Sequence, residues 1–331
     1  MENPGSRLDM LEAAMVVELS KLAATDQLTV GVLSEDEAER PTAGSRPACI
    51  VKASDGSRYF FKSAPSEHVA AEVLAYRMRT LGKRPILATA ARSLTLPSLG
   101  PVKIDGMLQP LLSHAGERLS TRPTDWSPEQ CEVMLREHPW EWLLGNLDTH
   151  IDQYVLYGDE RLPFNIDWDH ALLDLDVETL DRFTKRSPAV APIRNALYDA
   201  FTAGIVGLDF SGMRREVRRI ARLDDAQLRR FMTEWESTRG ANAEPKDATR
   251  VIESFFRRKR RIGKVFGRFV RSLVRERRHR RAGVVALPDR VRTAVLDSWQ
   301  RFVIDTLHDR AVVPWLRVYR RVLAVKDRLP R

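Results

Sequence analysis

The residues best suited to chemistry are one lysine, one glutamate and two knots of carboxylates. Lys62 closes the apolar run RYFFK on a predicted strand, and Glu72 lies ten residues later inside AAEVLA on the helix that follows. A strand lysine and a helix glutamate in that order can form an ion pair between two elements. The plainer reading leaves Lys62 emerging at a strand end and Glu72 solvated. The segment LLGNLDTHIDQYVL crowds Asp148, His150, Asp152 and Gln153 between an apolar helix end and the strand YVL. Further on, FNIDWDHALL sets Asp167 at the end of a short hydrophobic strand. A hairpin would carry Asp167 and the Asp148 loop to the same end of a two-stranded ribbon. Carboxylates that face one another raise each other's pKa or bind a cation. Oxygen ligands of this kind suit Mg²⁺, which takes one or two carboxylates and shares the phosphates of a substrate.

The elements that must position these groups follow from hydrophobic period. Residues 8–24 carry Leu11, Ala14, Met15, Leu19 and Leu22 at helical spacing. Residues 28–112 read as strands around one helix: LTVGVL, PACIVKA and SRYFFKS are β-rich, and SDG between the last two signals a hairpin turn. SEHVAAEVLAYRMRTLG is a helix that Ser66 can cap and Gly82 can end. ARSLTLP and VKIDGMLQPLL resume strand character. Residues 113–256 are mostly helical, opening with Ser127-Pro128 as cap and first-turn proline and continuing through 190–237. The polar break STRGANAEPKDAT precedes a basic stretch. The expected fold is α+β and bilobal: an N-terminal helix over 1–27, a small β-rich lobe over 28–112, a larger helical lobe over 113–240, and a basic helical segment over 250–331. The polar residues fall near the seam between the lobes.

Composition narrows the class. A chain of 331 residues, 43% hydrophobic and 30% charged, suits two domains or one bilobal one and can bury a full core. Cys49 and Cys131 stand alone, which excludes a disulfide scaffold and a zinc finger and favours a reducing compartment. No apolar run reaches the ~18 residues of a membrane span. The N-terminal segment lacks the basic start of a secretory signal, so a soluble, cytoplasmic protein is expected. Charge is uneven: residues 257–331 hold 23 Lys and Arg against 6 Asp and Glu, whereas residues 1–256 hold 31 against 39. An anionic partner for the tail is the natural expectation.

The order of strand lysine, helix glutamate, loop with Asp148 and strand ending in Asp167 resembles the protein-kinase-like fold, in its atypical branch. DTHIDQYVL followed by FNIDWDHALL is similar to the paired motifs of HipA-type kinases and phosphoinositide 3- and 4-kinases, in which the catalytic Asp is followed by His two positions on and Asn five positions on. Asp148 and His150 match, and Gln153 stands at the fifth position. TAGSRP and DGSRYFFK are similar to the phosphate-covering turn and lysine strand of HipA-like proteins. IDWDHA also resembles the metal segment of aminoglycoside phosphotransferases, whose histidine two places before the catalytic Asp is Asn146 here. The resemblance spans residues 30–210.

That resemblance implies ATP- and Mg²⁺-dependent transfer of the γ-phosphate to a hydroxyl of a protein or small molecule. It gives Lys62 the α- and β-phosphates of ATP, with Glu72 orienting it. Ser45, the backbone near Gly44, and Arg46 would cover the phosphates, and backbone groups at Gln109 and Leu111 would meet the adenine. Asp148 would accept or orient the acceptor proton, with His150 either catalytic or bracing the loop. Asp167 would hold Mg²⁺, with Gln153, or Asp152 beside it, as second ligand. The Gln for Asn exchange and the single glycine of TAGSRP keep open a catalytically dead nucleotide-binding scaffold that recruits an anionic partner, and nucleotidyl transfer to a protein uses the same fold. Trp140 and Trp142 read as core, Asp174 and Asp176 as caps, and Asp169 and His170 adjoin the motif without an assigned role.

The basic stretch is amphipathic. Residues 257–281 hold 13 Lys and Arg in 25, with Ile262, Val265, Phe266, Phe269, Val270, Leu273 and Val274 at steps of three and four. It can lie on an anionic membrane, bind nucleic-acid phosphates, or dock its apolar stripe on the helical lobe. The third is favoured because such helices usually pack on their own core, continued here by VRTAVLDSWQRFVIDTLHD and PWLRVYRRVLAV. Nucleic acid is the weaker partner: no recognised motif is present, and the aromatics are not interleaved as a base-stacking platform requires.

Overall fold

Alternating burial builds the first layer. In the computed structural model, which describes residues 4–23, 33–35, 48–53, 56–95, 103–112, 117–146, 148–172, 192–239 and 248–285, strands β1 (Leu33–Glu35), β2 (Ala48–Ala53), β3 (Arg58–Ser63), β4 (Ala90–Leu94) and β5 (Ile104–Pro110) form one antiparallel sheet in the order β1-β2-β3-β5-β4. Cys49, Val51, Tyr59, Phe61 and Leu108 point to one side and form its core with Ala88. Side chains alternate across a strand, so Lys62, next to Phe61, takes the opposite face. Strands β2 and β3 pair antiparallel as the hairpin signal predicts, and Gly56 sits at φ +88° and donates to the Ala53 carbonyl at 3.0 Å. Gly106 on β5 lies opposite Ser63, and any Cβ there would strike the Lys62 carbonyl and the Phe61 ring, so only glycine lets β5 close on the lysine strand.

Helix α2 (Ser66–Leu81) follows β3 directly and lies against β4 and β5. Its ends differ from the expected ones. Pro65 is the N-terminal flanking residue, and the Ser66 hydroxyl donates instead to the Arg239 carbonyl at 2.5 Å. Gly82 ends the helix at φ −78°, without the left-handed turn. The cap at Ser127 is as expected: Ser127 Oγ accepts from Gln130 N at 3.1 Å, and Gln130 Oε1 accepts from Ser127 N at 3.0 Å, before Pro128 opens α3 (Pro128–Leu144).

The second lobe gathers on α3. Trp140 and Trp142 are fully buried and share one core with α2, with α4 (Arg194–Thr202), α5 (Ser211–Ala221), α6 (Asp225–Thr238) and α7 (Ala248–Val285). Phe255, Ile262, Phe266 and Val270 of α7 enter that same core, so the basic helix is built into the helical lobe as far as it is described. The two further helices expected after it lie outside the described residues. A buried two-stranded ribbon, β6 (Tyr154–Tyr157) and β7 (Leu162–Asn165), follows α3 and packs against it, with Tyr154 opposite Asn165. The result is the bilobal α+β architecture expected, a small antiparallel sheet followed by a mostly helical lobe. Among the described residues no helix is long and apolar enough to cross a membrane.

Helix α1 (Pro4–Ala23) joins the lobes on the side of α3 and the ribbon. Leu8 packs with Val133 and Leu162, and Met15 and Leu19 pack with Leu87, Val155 and Phe164. Between these contacts runs a buried ionic chain. Glu12 Oε2 accepts from Arg84 at 2.6 Å and from Arg136 at 2.7 Å, and Arg84 reaches on to Glu137 at 2.6 Å. Arg79 also meets Glu137, at 2.7 Å. Burial alone would push the Glu137 carboxyl up, but Arg79 and Arg84 together hold it below the ordinary carboxylate value. Removing one member leaves buried guanidinium charge uncompensated, at a cost of about 3–5 kcal/mol. Glu12→Gln is therefore expected to lower the denaturant midpoint at unchanged slope. A stability within ~0.5 kcal/mol of the parent would show that α1 does not fasten the lobes.

Candidate active site

The ribbon places the acidic residues. Ile166 N donates to the Gln153 carbonyl at 2.9 Å, so the hairpin pairing extends one step past β7 and brings Asp167 beside the turn of 3₁₀ helix Ile151–Gln153. Asp167 is fixed by its backbone: its N–H donates to Asn165 Oδ1 at 2.9 Å, and its carbonyl accepts from buried Asn146 Nδ2 at 3.3 Å. Asn146, noted in the sequence only as a missing histidine, is thus the tether between the Asp148 loop and the Asp167 segment.

Lys62 reaches this segment across the seam. Its ammonium donates to Asp167 Oδ2 at 2.9 Å and to Asp169 Oδ2 at 3.0 Å. Burial would lower the Lys62 pKa, but the two carboxylates outweigh it and hold the group above its ordinary value. Asp167 is itself raised, by burial and by Asp169, against the pull of Lys62. Glu72 is not the lysine's partner. It is fully buried on α2, where Oε1 accepts from Gln109 Nε2 at 3.1 Å and Oε2 accepts from Trp168 N at 2.5 Å. The glutamate therefore holds the backbone of the Asp167–Asp169 segment, and Asp169 takes the ionic role at the lysine. Burial, then the charges of Asp167 and Asp169, push the Glu72 carboxyl well above the ordinary range.

Asp148 is half-buried and lies 3.7 Å from His150 Nε2 and 3.7 Å from His170 Nε2. His170 Nε2 is 3.6 Å from Asp169 Oδ1, so it spans the two carboxylates. His68 of α2 meets the His170 ring edge-on at 5.2 Å and donates from Nδ1 to the Asp169 carbonyl at 2.9 Å. His150 braces the loop, accepting at Nδ1 from Asp152 N at 3.2 Å. Thr149 beneath it is buried, its hydroxyl taken by Arg194, which is paired with Glu141. The structure thus brings together Lys62, Glu72, Asp148, His150 and Asp167 and adds Asp169, His170 and His68. The repeat of Asp two places after Asp167 in IDWDH was the signal for Asp169.

The remaining expected residues divide. Gln153 is buried, and its Oε1 has no hydrogen-bond partner. Asp152 points outward, its side chain 72% exposed and near His150 rather than Asp167. Gln109 acts through its side chain, joining Glu72 to Thr89 Oγ1 at 3.0 Å. Leu111 N–H is committed to the Arg58 carbonyl at 3.1 Å, which removes it as a donor to a ligand. Ser45 and Arg46 lie outside the described residues.

No protein-family model matches the chain, and no curated protein does. Among solved structures it is similar to the Helicobacter pylori proinflammatory kinase CtkA, at 12% identity and a TM-score of 0.44 over 71% of this chain and 93% of that one. It is also similar to the MAP kinase LmaMPK10 from Leishmania major, at 12% identity and a TM-score of 0.28 over 77% and 87%. The likeness to HipA-type and phosphoinositide kinases rests on the motifs alone.

Glu72 yields a pH test. A carboxyl whose folded pKa is raised costs stability as pH climbs through its unfolded value of about 4.3, because only the unfolded chain then ionises freely. Glu72→Gln removes that penalty while keeping an amide oxygen for Trp168 N. The variant is expected to melt at least ~2 °C higher than the parent at pH 7, the shift that ~1 kcal/mol gives in a chain of this size. The gain should fade toward pH 4. A lower midpoint at pH 7 would mean that the carboxylate is stabilising in place.

Proposed function

We propose that the cleft binds ATP with Mg²⁺ and transfers the γ-phosphate to a hydroxyl of a protein or small molecule. The observation that carries this reading is Lys62 held at 2.9 and 3.0 Å from two carboxylates of the facing lobe. One ammonium stands against Asp167 and Asp169, with Asp148 nearby through His170, and the excess negative charge asks for a cation. The donor set fits Mg²⁺: carboxylate oxygens at Asp167 and Asp169, and the buried Gln153 amide oxygen without a partner. Asp169 serves as the second carboxylate better than outward-facing Asp152. When bound, the ion would neutralise charge on the transferring phosphoryl group.

The chain's own residues do the rest. Lys62 would exchange carboxylate oxygens for phosphate oxygens as the nucleotide enters. Asp148, in hydrogen-bond reach of solvent and not buried, would take the acceptor's proton, and His170 would keep it aligned with Asp169. Glu72 would hold the Trp168 peptide, and so the metal segment, in register with β3. The adenine contact would fall on the Leu111 carbonyl and the Leu112 peptide, beyond the committed Leu111 N–H. The pairing of DTHIDQ with FNIDWD supports a place near HipA-type kinases. Two buried cysteines, neither in a disulfide, and the demand for ATP suit the cytoplasm.

Thermal unfolding with ATP, with and without Mg²⁺, tests the site. At ~100 times its dissociation constant the nucleotide adds roughly 2.7 kcal/mol to the folded state. The shift is expected to need Mg²⁺ and to vanish in Asp167→Ala, together with turnover. A shift that survives in that variant would overturn the assignment of Asp167. Label from γ-³²P-ATP on the product identifies a kinase, label from α-³²P-ATP identifies nucleotidyl transfer, and binding without either identifies a scaffold. In the same assay Gln153→Asn, which shortens a buried ligand by one methylene, is expected to change the Mg²⁺ concentration at half-maximal shift by about tenfold or more. An unchanged Mg²⁺ midpoint would remove Gln153 from the metal shell.

A further inference from the structure

The cations of α7 differ in what they meet: Arg277 donates to the Val206 carbonyl at 2.8 Å, and Arg280 is paired with Glu276. Arg258 is buried, donating to the Trp142 carbonyl, and Lys259 is turned inward against Asp225 at 2.5 Å. Arg260, Lys264, Arg268, Arg271, Arg275 and Arg278 are all exposed. These six make no hydrogen bond or ion pair among the described residues. Their steps of four, four, three, four and three, at about 100° per residue, confine them to one arc roughly 80° wide. They run for about 27 Å along the helix axis at 1.5 Å per residue. The opposite side carries Phe255, Ile262, Phe266, Val270 and Leu273, all buried in the core of the helical lobe. The lobe thus fixes the direction in which the stripe faces.

We propose that this stripe is a docking surface for the phosphate backbone of a nucleic-acid duplex, bound without regard to sequence. Peripheral membrane helices insert an apolar face, and that of α7 is already spent on the core. Protein interfaces centre on apolar and aromatic anchors with few charges, and the stripe offers neither. A duplex presents one negative charge per about 1.7 Å of its axis, so a straight 27 Å row of cations faces about 16 phosphates. Five of the six cations are arginine, whose planar fork matches phosphate oxygens. The stripe carries no Asn or Gln to read base edges and no aromatic ring to stack unpaired bases, which favours duplex over single strand. Residues 1–256 hold 39 acids against 31 bases, whereas residues 257–281 hold 13 bases against one acid, so positive charge concentrates on α7.

Fluorescence anisotropy of the full chain against a labelled duplex of about 20 base pairs, repeated over a salt series, tests this. Six phosphate contacts give a slope of log affinity on log salt of about −5, equal for two unrelated sequences. The triple variant Arg268→Gln, Arg271→Gln, Arg275→Gln replaces only exposed groups and should melt as the parent does. It is expected to halve the slope, to about −2.7, and to weaken binding at low salt by at least about tenfold. Duplex binding that the triple variant leaves intact would overturn the proposal. So would absence of duplex binding at about 50 mM salt, or stripe-dependent binding confined to phosphatidylserine vesicles or to an acidic protein.

Discussion

A single ammonium between two carboxylates is the contact on which the site depends. Lys62 belongs to the sheet lobe, and Asp167 and Asp169 belong to the helical lobe, so these two hydrogen bonds fix how the lobes face one another at the cleft. Each surrounding feature makes that meeting possible. Gly106 lets β5 lie flat against the lysine strand. Asn146 and Asn165 hold the Asp167 backbone from the other side. Glu72 and His68 of α2 each grip a main-chain group of the Trp168–Asp169 turn. The carboxylates are thus aimed by bonds to their backbone, which leaves their oxygens available for charge.

On the α1 side of the lobes the link is ionic too, yet of a different kind. Glu12, Arg84, Arg136, Glu137 and Arg79 form a buried chain, whereas Lys62 and Asp167 keep some exposure. A buried ion network returns little net stability over well-packed apolar groups, since desolvation offsets the Coulomb gain. What it does supply is registry: a guanidinium that must find its carboxylates permits few alternative dockings of α1. Sliding or splaying of the lobes would strip partners from at least one buried arginine. The cleft side can therefore exchange partners while the α1 side stays locked, which is the mechanical requirement of a site that admits a ligand between lobes.

Much of this was legible as local pattern. The strand carrying Lys62, the α3 cap at Ser127 and the placing of Asp148 and Asp167 at one end of a ribbon all follow from period and turn chemistry. The partnerships were not. Glu72 and Lys62 sit on consecutive elements, and nearness in sequence suggested a pair. The tertiary fold instead pairs Lys62 with Asp167 and with Asp169, 107 residues away. Ser66 was readable as a cap because its type suits one, yet α6 places a carbonyl within reach and takes the hydroxyl. Hydrogen-bonding residues have several competing partners, and only the packing of distant elements selects among them. Apolar spacing has one outcome, burial, so the core face of α7 was read correctly.

The binding of α2 to the rest of the molecule bears on how such a site is regulated. A helix that carries a site glutamate can act as a switch when the glutamate's own ion pair is what draws it inward. Here Glu72 is engaged with Gln109 and Trp168, and α2 is held at its start by Ser66 to Arg239 and on its outer face by Arg77 to Glu234. Both outer contacts come from α6 and its end, in the helical lobe. Swinging α2 outward would break a buried carboxylate's bonds and part the two helices at once. Such a change costs several kcal/mol with nothing in the described fold to offset it. The geometry is therefore that of a cleft whose α2 wall is already fastened to both lobes.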